Sequence, residues 1–407
     1  MSIQSKPYIG IFGRRNNGKS SLVNVLTGQE TAIVSDIAGT TTDPVKKAME
    51  MPGIGPVVLV DTAGIDDTGE LGEKRMARAR SILATVDLAL LVLADNLFGS
   101  FEEELIAGFE EHSIPYIIIH NKADNDVLHP DTLRKIKAKS NAHIIDFSAL
   151  INPETERILE LIRQLIPESA YRSNSLVGDL LKYGDVVMLI TPIDIEAPEG
   201  RLILPQVQVI RDILDNDGIA VVVKEREADS WFHRMNVKPA LVITDSQVFL
   251  KADAIVPKEI PLTSFSILLA RQKGDFPNYL LGTPHLSRLK DGDRVLILES
   301  CTHHVSCDDI GRVKIPRWLS NFSGKKLEFE TVAGLNKLPR DIHEFAIVIQ
   351  CGGCMITRKQ IINRLKLAVD AGIPVTNYGM AIAYVHGIYN RAVFPFIGKS
   401  NSSTEYL

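Results

Sequence analysis

Gly13-Arg14-Arg15-Asn16-Asn17-Gly18-Lys19-Ser20 decides the fold of the N-terminal part of this chain. The stretch fits GxxxxGK[ST], follows an apolar run (YIGIF, residues 8–12) and opens a segment of helical period (SSLVNVLTG, residues 20–28). A strand, a glycine-bearing loop and a helix in that order form the context a phosphate-binding loop requires. The glycines let backbone N–H groups wrap phosphate oxygens, Lys19 neutralises their charge, and Ser20 offers a hydroxyl to Mg²⁺, with Ser21 next in the helix start.

Working outward, four further matches follow in chain order. Gly39-Thr40-Thr41-Thr42-Asp43 offers a switch loop, with Thr41 as a second Mg²⁺ ligand. Asp61-Thr62-Ala63-Gly64 follows the run VVLV, placing a carboxylate beside the metal and the Gly64 N–H near a γ-phosphate. Asn121-Lys122-Ala123-Asp124 follows YIIIH; the Asp124 carboxylate can accept two hydrogen bonds from the guanine N1–H and exocyclic amine, which adenine does not offer. Ser148-Ala149 follows another strand and offers a backbone N–H to the guanine O6. The motifs imply binding of GTP and GDP, with Lys19, Thr41 and Gly64 as the catalytic set and Gly13, Asn16, Asn17, Gly18, Asn121 and Lys122 shaping the pocket.

Around these motifs, short apolar runs alternate with stretches of helical period such as residues 69–85, the mark of an α/β domain with a parallel sheet. A chain of 407 residues has room for two or three such units. The boundaries expected are 1–168, 175–275 and 276–407, with a polar linker around 167–174. The middle segment carries VVMLITPI, IAVVVKE and LVITDS as strands and residues 204–216 as a helix, but no second phosphate loop. Past residue 278 come VLILES, FAIVIQ and IPVTNYG, with a helix over 357–371.

A net charge of −5 leaves no surplus of cations for a nucleic-acid backbone. No apolar run approaches the length that spans a bilayer, and the N-terminus lacks a leader pattern, so the expectation is a cytoplasmic protein without nucleic-acid or membrane partners.

All four cysteines lie between 301 and 354. Cys301-Thr302-His303 follows VLILES and Cys351-Gly352-Gly353-Cys354 follows FAIVIQ, so three thiols and an imidazole are expected at adjacent strand C-termini, where open α/β sheets place ligands. Zinc and an iron–sulfur cluster both suit such a set, and a redox pair or buried thiols also fit CGGC.

The N-terminal motifs resemble the translation-factor-related GTPases of the Era and MnmE type, whose loop often reads GxxNxGKS and whose switch reads GTTxD. In potassium-activated members the asparagine matching Asn16 helps hold K⁺ near the phosphates. Ile65 stands where Ras-like proteins carry a water-positioning glutamine, so a cation and backbone groups must supply that stabilisation. The whole chain resembles the HydF family of [FeFe]-hydrogenase maturation GTPases. That resemblance implies an α/β architecture: a Ras-like P-loop G domain, a middle α/β dimerisation domain and a C-terminal α/β iron–sulfur domain. It also implies a homodimer and a [4Fe–4S] cluster on Cys301, Cys351 and Cys354 with one exchangeable iron position. His303 is a possible fourth ligand, and Cys307 lies outside the pattern. Gln350 departs from the family's usual histidine, and an amide is a poor iron ligand. The implied role is a scaffold that carries a transient diiron precursor, built with radical-SAM maturases, to apo-hydrogenase. The competing reading is a tRNA-modification or ribosome-assembly GTPase with a C-terminal structural zinc.

Overall fold

The computed structural model describes residues 6–27, 45–51, 54–62, 82–83, 85–151, 155–167, 175–192, 202–300, 309–334, 336–354 and 356–397. The chain divides into two compact units, Gln4–Ser173 and one comprising Asn174–Leu407 with the first three residues.

In the first unit β1 (Tyr8–Phe12), α1 (Lys19–Thr27), β2 (Val45–Met51), β3 (Gly55–Asp61) and β4 (Leu88–Leu93) are followed by α2 (Ser100–Glu111), β5 (Tyr116–His120), α3 (Pro130–Lys139), β6 (His143–Asp146) and α4 (Thr155–Leu165). The sheet order is β2-β3-β1-β4-β5-β6. Among the described strands of this sheet only the β2–β3 pair is antiparallel. The run LALLVL reads as a continuous apolar stretch because both faces of its strand are covered. Leu88, Leu90 and Val92 join one core with α1 and α4, while Ala89, Leu91 and Leu93 join another with α2 and α3. In α4, Ile158, Leu159 and Ile162 fall on one helical face and are buried.

The second unit contains two four-stranded sheets. The first is built from β7 (Val186–Ile190), α5 (Leu204–Asp215), β8 (Ile219–Val223), α6 (Glu225–Arg234), β9 (Leu241–Thr244), α7 (Phe249–Ile255), β10 (Leu262–Ser264) and α8 (Phe265–Lys273). After α9 (Phe276–Gly282), the second contains β11 (Arg294–Leu298), α10 (Ile315–Ser323), β12 (Glu328–Val332), β13 (Ile347–Gln350), α11 (Arg358–Asp370), β14 (Val375–Asn377), α12 (Tyr378–Val385) and α13 (Tyr389–Ile397). Their orders are β10-β9-β7-β8 and β12-β11-β13-β14. Counted from each sheet's first strand, both are parallel 2-1-3-4 arrangements, so the topology occurs twice. The alternation of strands and helices in residues 175–275 is thus the same design as in 276–407.

The two sheets share one core, in which Met188 and Val242 of the first meet Leu296 and Val348 of the second with Ile267, Tyr279 and Met380. Residues 175–275 and 276–407 accordingly pack as one body. Arg391 of α13 fastens it: Nη1 donates to Asp253 Oδ1 at 2.6 Å and Nη2 to the carbonyl of Pro257 at 2.6 Å. The helix expected over 357–371 runs Arg358–Asp370, with the Thr357 hydroxyl accepting from Gln360 N and the Gln360 side chain accepting from Thr357 N. Among the described residues no helix is long and apolar enough to cross a membrane.

Candidate functional site

The phosphate loop leaves β1 through Gly13, whose φ of 147° and position against Val92 admit no side chain: a Cβ there would lie 2.4 Å from the Val92 carbonyl oxygen. Asn16 is left-handed at φ 63°, as is Gly18 at 81°. The turn delivers Lys19 to the first position of α1. A cavity of about 440 Å³ opens over it, lined by Arg15, Asn16, Gly18, Lys19, Ser20, Ser21, Asp61 and Thr62. Lys19 Nζ donates to the carbonyls of Gly13 (3.0 Å) and Arg14 (2.7 Å), within the loop it would share with a phosphate.

Asp61 ends β3 inside the same cavity. Burial raises its carboxyl above the usual range, against the opposing pull of Lys19 and Lys47. Its Oδ1 is buried without a hydrogen-bond partner. An unsatisfied carboxylate oxygen in a cavity that also presents the Ser20 hydroxyl suits a hard divalent cation, which would take oxygen ligands and retain waters. Thr62 is fixed by its hydroxyl donating to the Ile11 carbonyl at 2.7 Å.

The base-reading loops are joined to this cavity. Asn17 Nδ2 donates to the Val92 carbonyl and Asn121 Nδ2 to the Asn17 carbonyl, both at 2.8 Å. Lys122 is left-handed at φ 61° and reaches Asp95 Oδ2 at 3.3 Å. Asp124 is exposed, so its carboxylate stands open to an incoming base. Ser148 turns its own loop, its Oγ accepting from the backbone of Leu150 and Ile151, and Ala149 follows it. Thr41, Gly64 and the loop 39–43 lie outside the described residues.

Two supports were not evident in the sequence. Arg14 forms a two-pronged ion pair with Glu102 at 2.7 and 2.9 Å, and the Glu102 side chain is fully enclosed. Truncating Arg14 would strand a buried charge at a cost of about 3–5 kcal/mol. His120, also enclosed, pairs Nδ1 with Asp146 Oδ1 at 3.0 Å, tying the strand before Asn121 to the strand before Ser148.

In the second unit, β11 and β13 are neighbours, with Leu298 opposite Gln350. Their C-terminal ends lie where the strand order reverses, the switch point at which open α/β sheets bind ligands. Ser300 and Cys351 meet there: Ser300 N donates to Cys351 Sγ at 3.1 Å and Ser300 Oγ lies 2.7 Å from the same sulfur. Cys354 borders the apolar cluster containing Phe265, Leu268 and Leu269. Gly353 at φ 71° turns the loop between the cysteines, where a Cβ would meet Ile361 at 2.3 Å. Lys273, the last residue of α8, holds that loop by donating to the carbonyls of Gly353 (3.1 Å) and Ile356 (3.3 Å). Burial lowers its ammonium below the ordinary lysine value, with Cys354 and Cys351 pulling the other way.

Cys351 is a free thiol. No group of three His, Cys, Asp or Glu able to hold a metal occurs among the described residues, while Cys301, His303 and Cys307 lie outside them. Soft thiolates on a fixed turn, with Cys301 next in sequence to Ser300, suit a thiolate-bound metal or cluster.

Residues 277–395 match the family model described as Hydrogen maturase F tetramerization domain, and residues 176–274 match that described as Hydrogen maturase F dimerization domain. The chain belongs to the hydrogen maturase F (HydF) family. Residues 8–122 match the model described as 50S ribosome-binding GTPase, which carries the Ras-like P-loop fold of the first unit. GTPase Der of Wolinella succinogenes is 43% identical over 120 residues, covering 28% of this chain and 25% of that protein. tRNA modification GTPase MnmE of Nitrosomonas europaea is 36% identical over 172 residues, covering 42% of this chain and 36% of that protein. The chain therefore spans about a quarter to a third of the length of these two relatives. The Era structure of Aquifex aeolicus bound to GDP·AlF4⁻ aligns with a TM-score of 0.35 and 19% identity, covering 57% of this chain and 99% of that one. The GTPase model ends at residue 122, and Cys351 and Cys354 lie within residues 277–395, the part matched by the tetramerization model.

Proposed function

We propose that this chain binds and hydrolyses GTP in the first unit and carries a [4Fe–4S] cluster on Cys301, Cys351 and Cys354 in the second, serving as a scaffold and carrier in hydrogenase maturation. Domain limits of 1–168, 175–275 and 276–407 accompany this reading. In the G domain Lys19 binds the β- and γ-phosphates, Ser20 and Thr41 hold Mg²⁺ with Asp61 beside it, and Gly64 meets the γ-phosphate. Asn16 helps hold K⁺, and Asp124 with Ala149 reads guanine. Hydrolysis releases the loops around Thr41 and Gly64, a change that can switch partner binding.

The observation that carries the reading is the place of Cys351 at the switch point of a sheet inside the matched tetramerization model. The partners are the radical-SAM maturases and apo-hydrogenase, to which a diiron precursor is delivered. A ribosome- or tRNA-directed GTPase with structural zinc leaves the matches of residues 176–274 and 277–395 to the HydF models without an account. We place the homodimer contact on the edge strand β8, within the matched dimerization model.

Anaerobic purification followed by metal analysis and visible spectroscopy tests the proposal. An iron–sulfur cluster gives broad visible absorption with matching iron and sulfide. A colourless protein with stoichiometric zinc would replace the scaffold by the structural-zinc reading.

A further inference from the structure

Gln350 ends β13 with no exposed surface. Its Nε2 lies 3.2 Å from the carbonyl oxygen of Cys351, 3.1 Å from Ser300 Oγ and 3.6 Å from Cys351 Sγ. A carbonyl only accepts, so this neighbour fixes the amide with its nitrogen, and not its oxygen, towards the cysteine. Ser300 Oγ accepts from that nitrogen and therefore has its single proton to give to Cys351 Sγ, 2.7 Å away. Ser300 N brings a further proton to the same sulfur at 3.1 Å. The backbone of Gln350 is held as well, because its carbonyl accepts from Asn377 Nδ2 at 3.2 Å.

Two donors thus converge on one sulfur, Ser300 N and Ser300 Oγ, while the two protons of the Gln350 amide go to the Cys351 carbonyl and to Ser300 Oγ and so aim the hydroxyl proton at the sulfur. Resting on the iron–sulfur reading above, we propose that Gln350 and Ser300 form a donor relay onto Cys351 that raises the reduction potential of the cluster, and that Gln350 is a positioning residue and not a ligand. Adding one electron to a thiolate-bound cluster increases the negative charge on its sulfurs. Hydrogen bonds to a sulfur become stronger as that charge grows, so they stabilise the reduced form more than the oxidised one. Removing a donor must lower the potential without removing a bond to iron.

The experiment uses the full chain, reconstituted anaerobically, as wild type, Gln350→Leu and Ser300→Ala. Iron and sulfide per chain are measured first. The midpoint potential follows from dithionite titration monitored by electron paramagnetic resonance, dithionite supplying the one electron. Both variants are expected to keep the wild-type iron content and to shift the midpoint in the negative direction. Loss of iron from Gln350→Leu with Ser300→Ala intact would make Gln350 a ligand through its Oε1, which is buried without a hydrogen-bond partner, and would overturn the proposal. Unchanged potentials in both variants would overturn it too. Should Gln350→Leu fail to fold, Ser300→Ala decides, since it deletes only an oxygen atom. A wild-type protein that takes up no cluster would sink the scaffold reading itself, an outcome distinct from a loaded protein whose potential ignores the relay.

Discussion

Asn121 donates its side-chain amide to the backbone carbonyl of Asn17 across 2.8 Å, joining loops 104 residues apart in sequence. The loop that would read the base is thereby set at a fixed distance from the loop that would hold the phosphates. Geometry of this kind converts nucleotide binding into a single event, because neither loop must be ordered separately when the ligand arrives.

Replacing Asn121 by Ala removes this bond and leaves the buried Asn17 carbonyl unsatisfied. Such a loss is worth about 1–2 kcal/mol, so the Kd for GDP is expected to rise about tenfold, measured by fluorescence of a labelled nucleotide. Gly18→Ala attacks the same contact from the other side, since its Cβ would sit 2.1 Å from Asn121 Nδ2 at a φ of 81°. Binding there should be lost altogether. Wild-type affinity in either variant would show that the two loops act independently.

Potassium should accelerate GTP hydrolysis relative to sodium at equal ionic strength. Asn16 lines the cavity with Lys19 and Ser20 and is exposed, with its side chain carried on a left-handed backbone. A monovalent cation held there would offset phosphate charge as the transition state forms. Asn16→Ala should shrink the difference between the two salts. Identical rates in the two salts would return Asn16 to an ordinary turn residue.

Much of this architecture was legible in the sequence, and the strands that were not, β2, β10 and β12, lie at the ends of their sheets, β10 being only three residues long. Runs such as LALLVL and YIIIH are enclosed on both faces, so burial writes itself into consecutive apolar residues. The strands VKKAMEM and EFETV carry no such signal because both lie at sheet edges, where one side has no neighbouring strand among the described residues and charged side chains are tolerated. The site divides in the same way. Phosphate-loop and base-loop residues are contiguous and carry their spacing with them. Glu102 meets Arg14 across 88 positions, and Lys273 meets Gly353 across 80. Contacts of that range leave no local period to detect. Gln350 stands out in the sequence only as a departure from a pattern; the direction of its amide is set by Ser300, 50 positions away.

The edge strand β8 predicts how the dimer forms. Ile219 and Val222 are 51% and 42% exposed on a strand paired, among the described residues, only with β7, and Val207 and Leu214 of α5 are exposed as well. An apolar edge left open invites a second copy of the same chain. Val222→Lys should convert the wild-type oligomer to a smaller species in light scattering after size exclusion, with unchanged circular dichroism. An unchanged mass would move the interface elsewhere in residues 176–274.

The cysteine variants separate the cluster from the nucleotide site. If Cys301, Cys351 and Cys354 each bind iron, replacing any one by Ala removes a thiolate that neither water nor a neighbouring carbonyl can replace for iron, and most iron and sulfide should be lost. Cys307→Ala should retain them. Lys19→Ala supplies the converse control, because the phosphate loop and the CGGC turn belong to different compact units: hydrolysis should fall to background while iron content stays at the wild-type level. If His303 supplies an exchangeable fourth ligand, His303→Ala should change the cluster's paramagnetic spectrum with only modest loss of iron. Buried structural thiols predict a different set of results, with colourless protein throughout and equal maturation of apo-hydrogenase by wild type and all four cysteine variants. That pattern would remove the scaffold from this chain and leave a GTPase whose second unit assembles subunits.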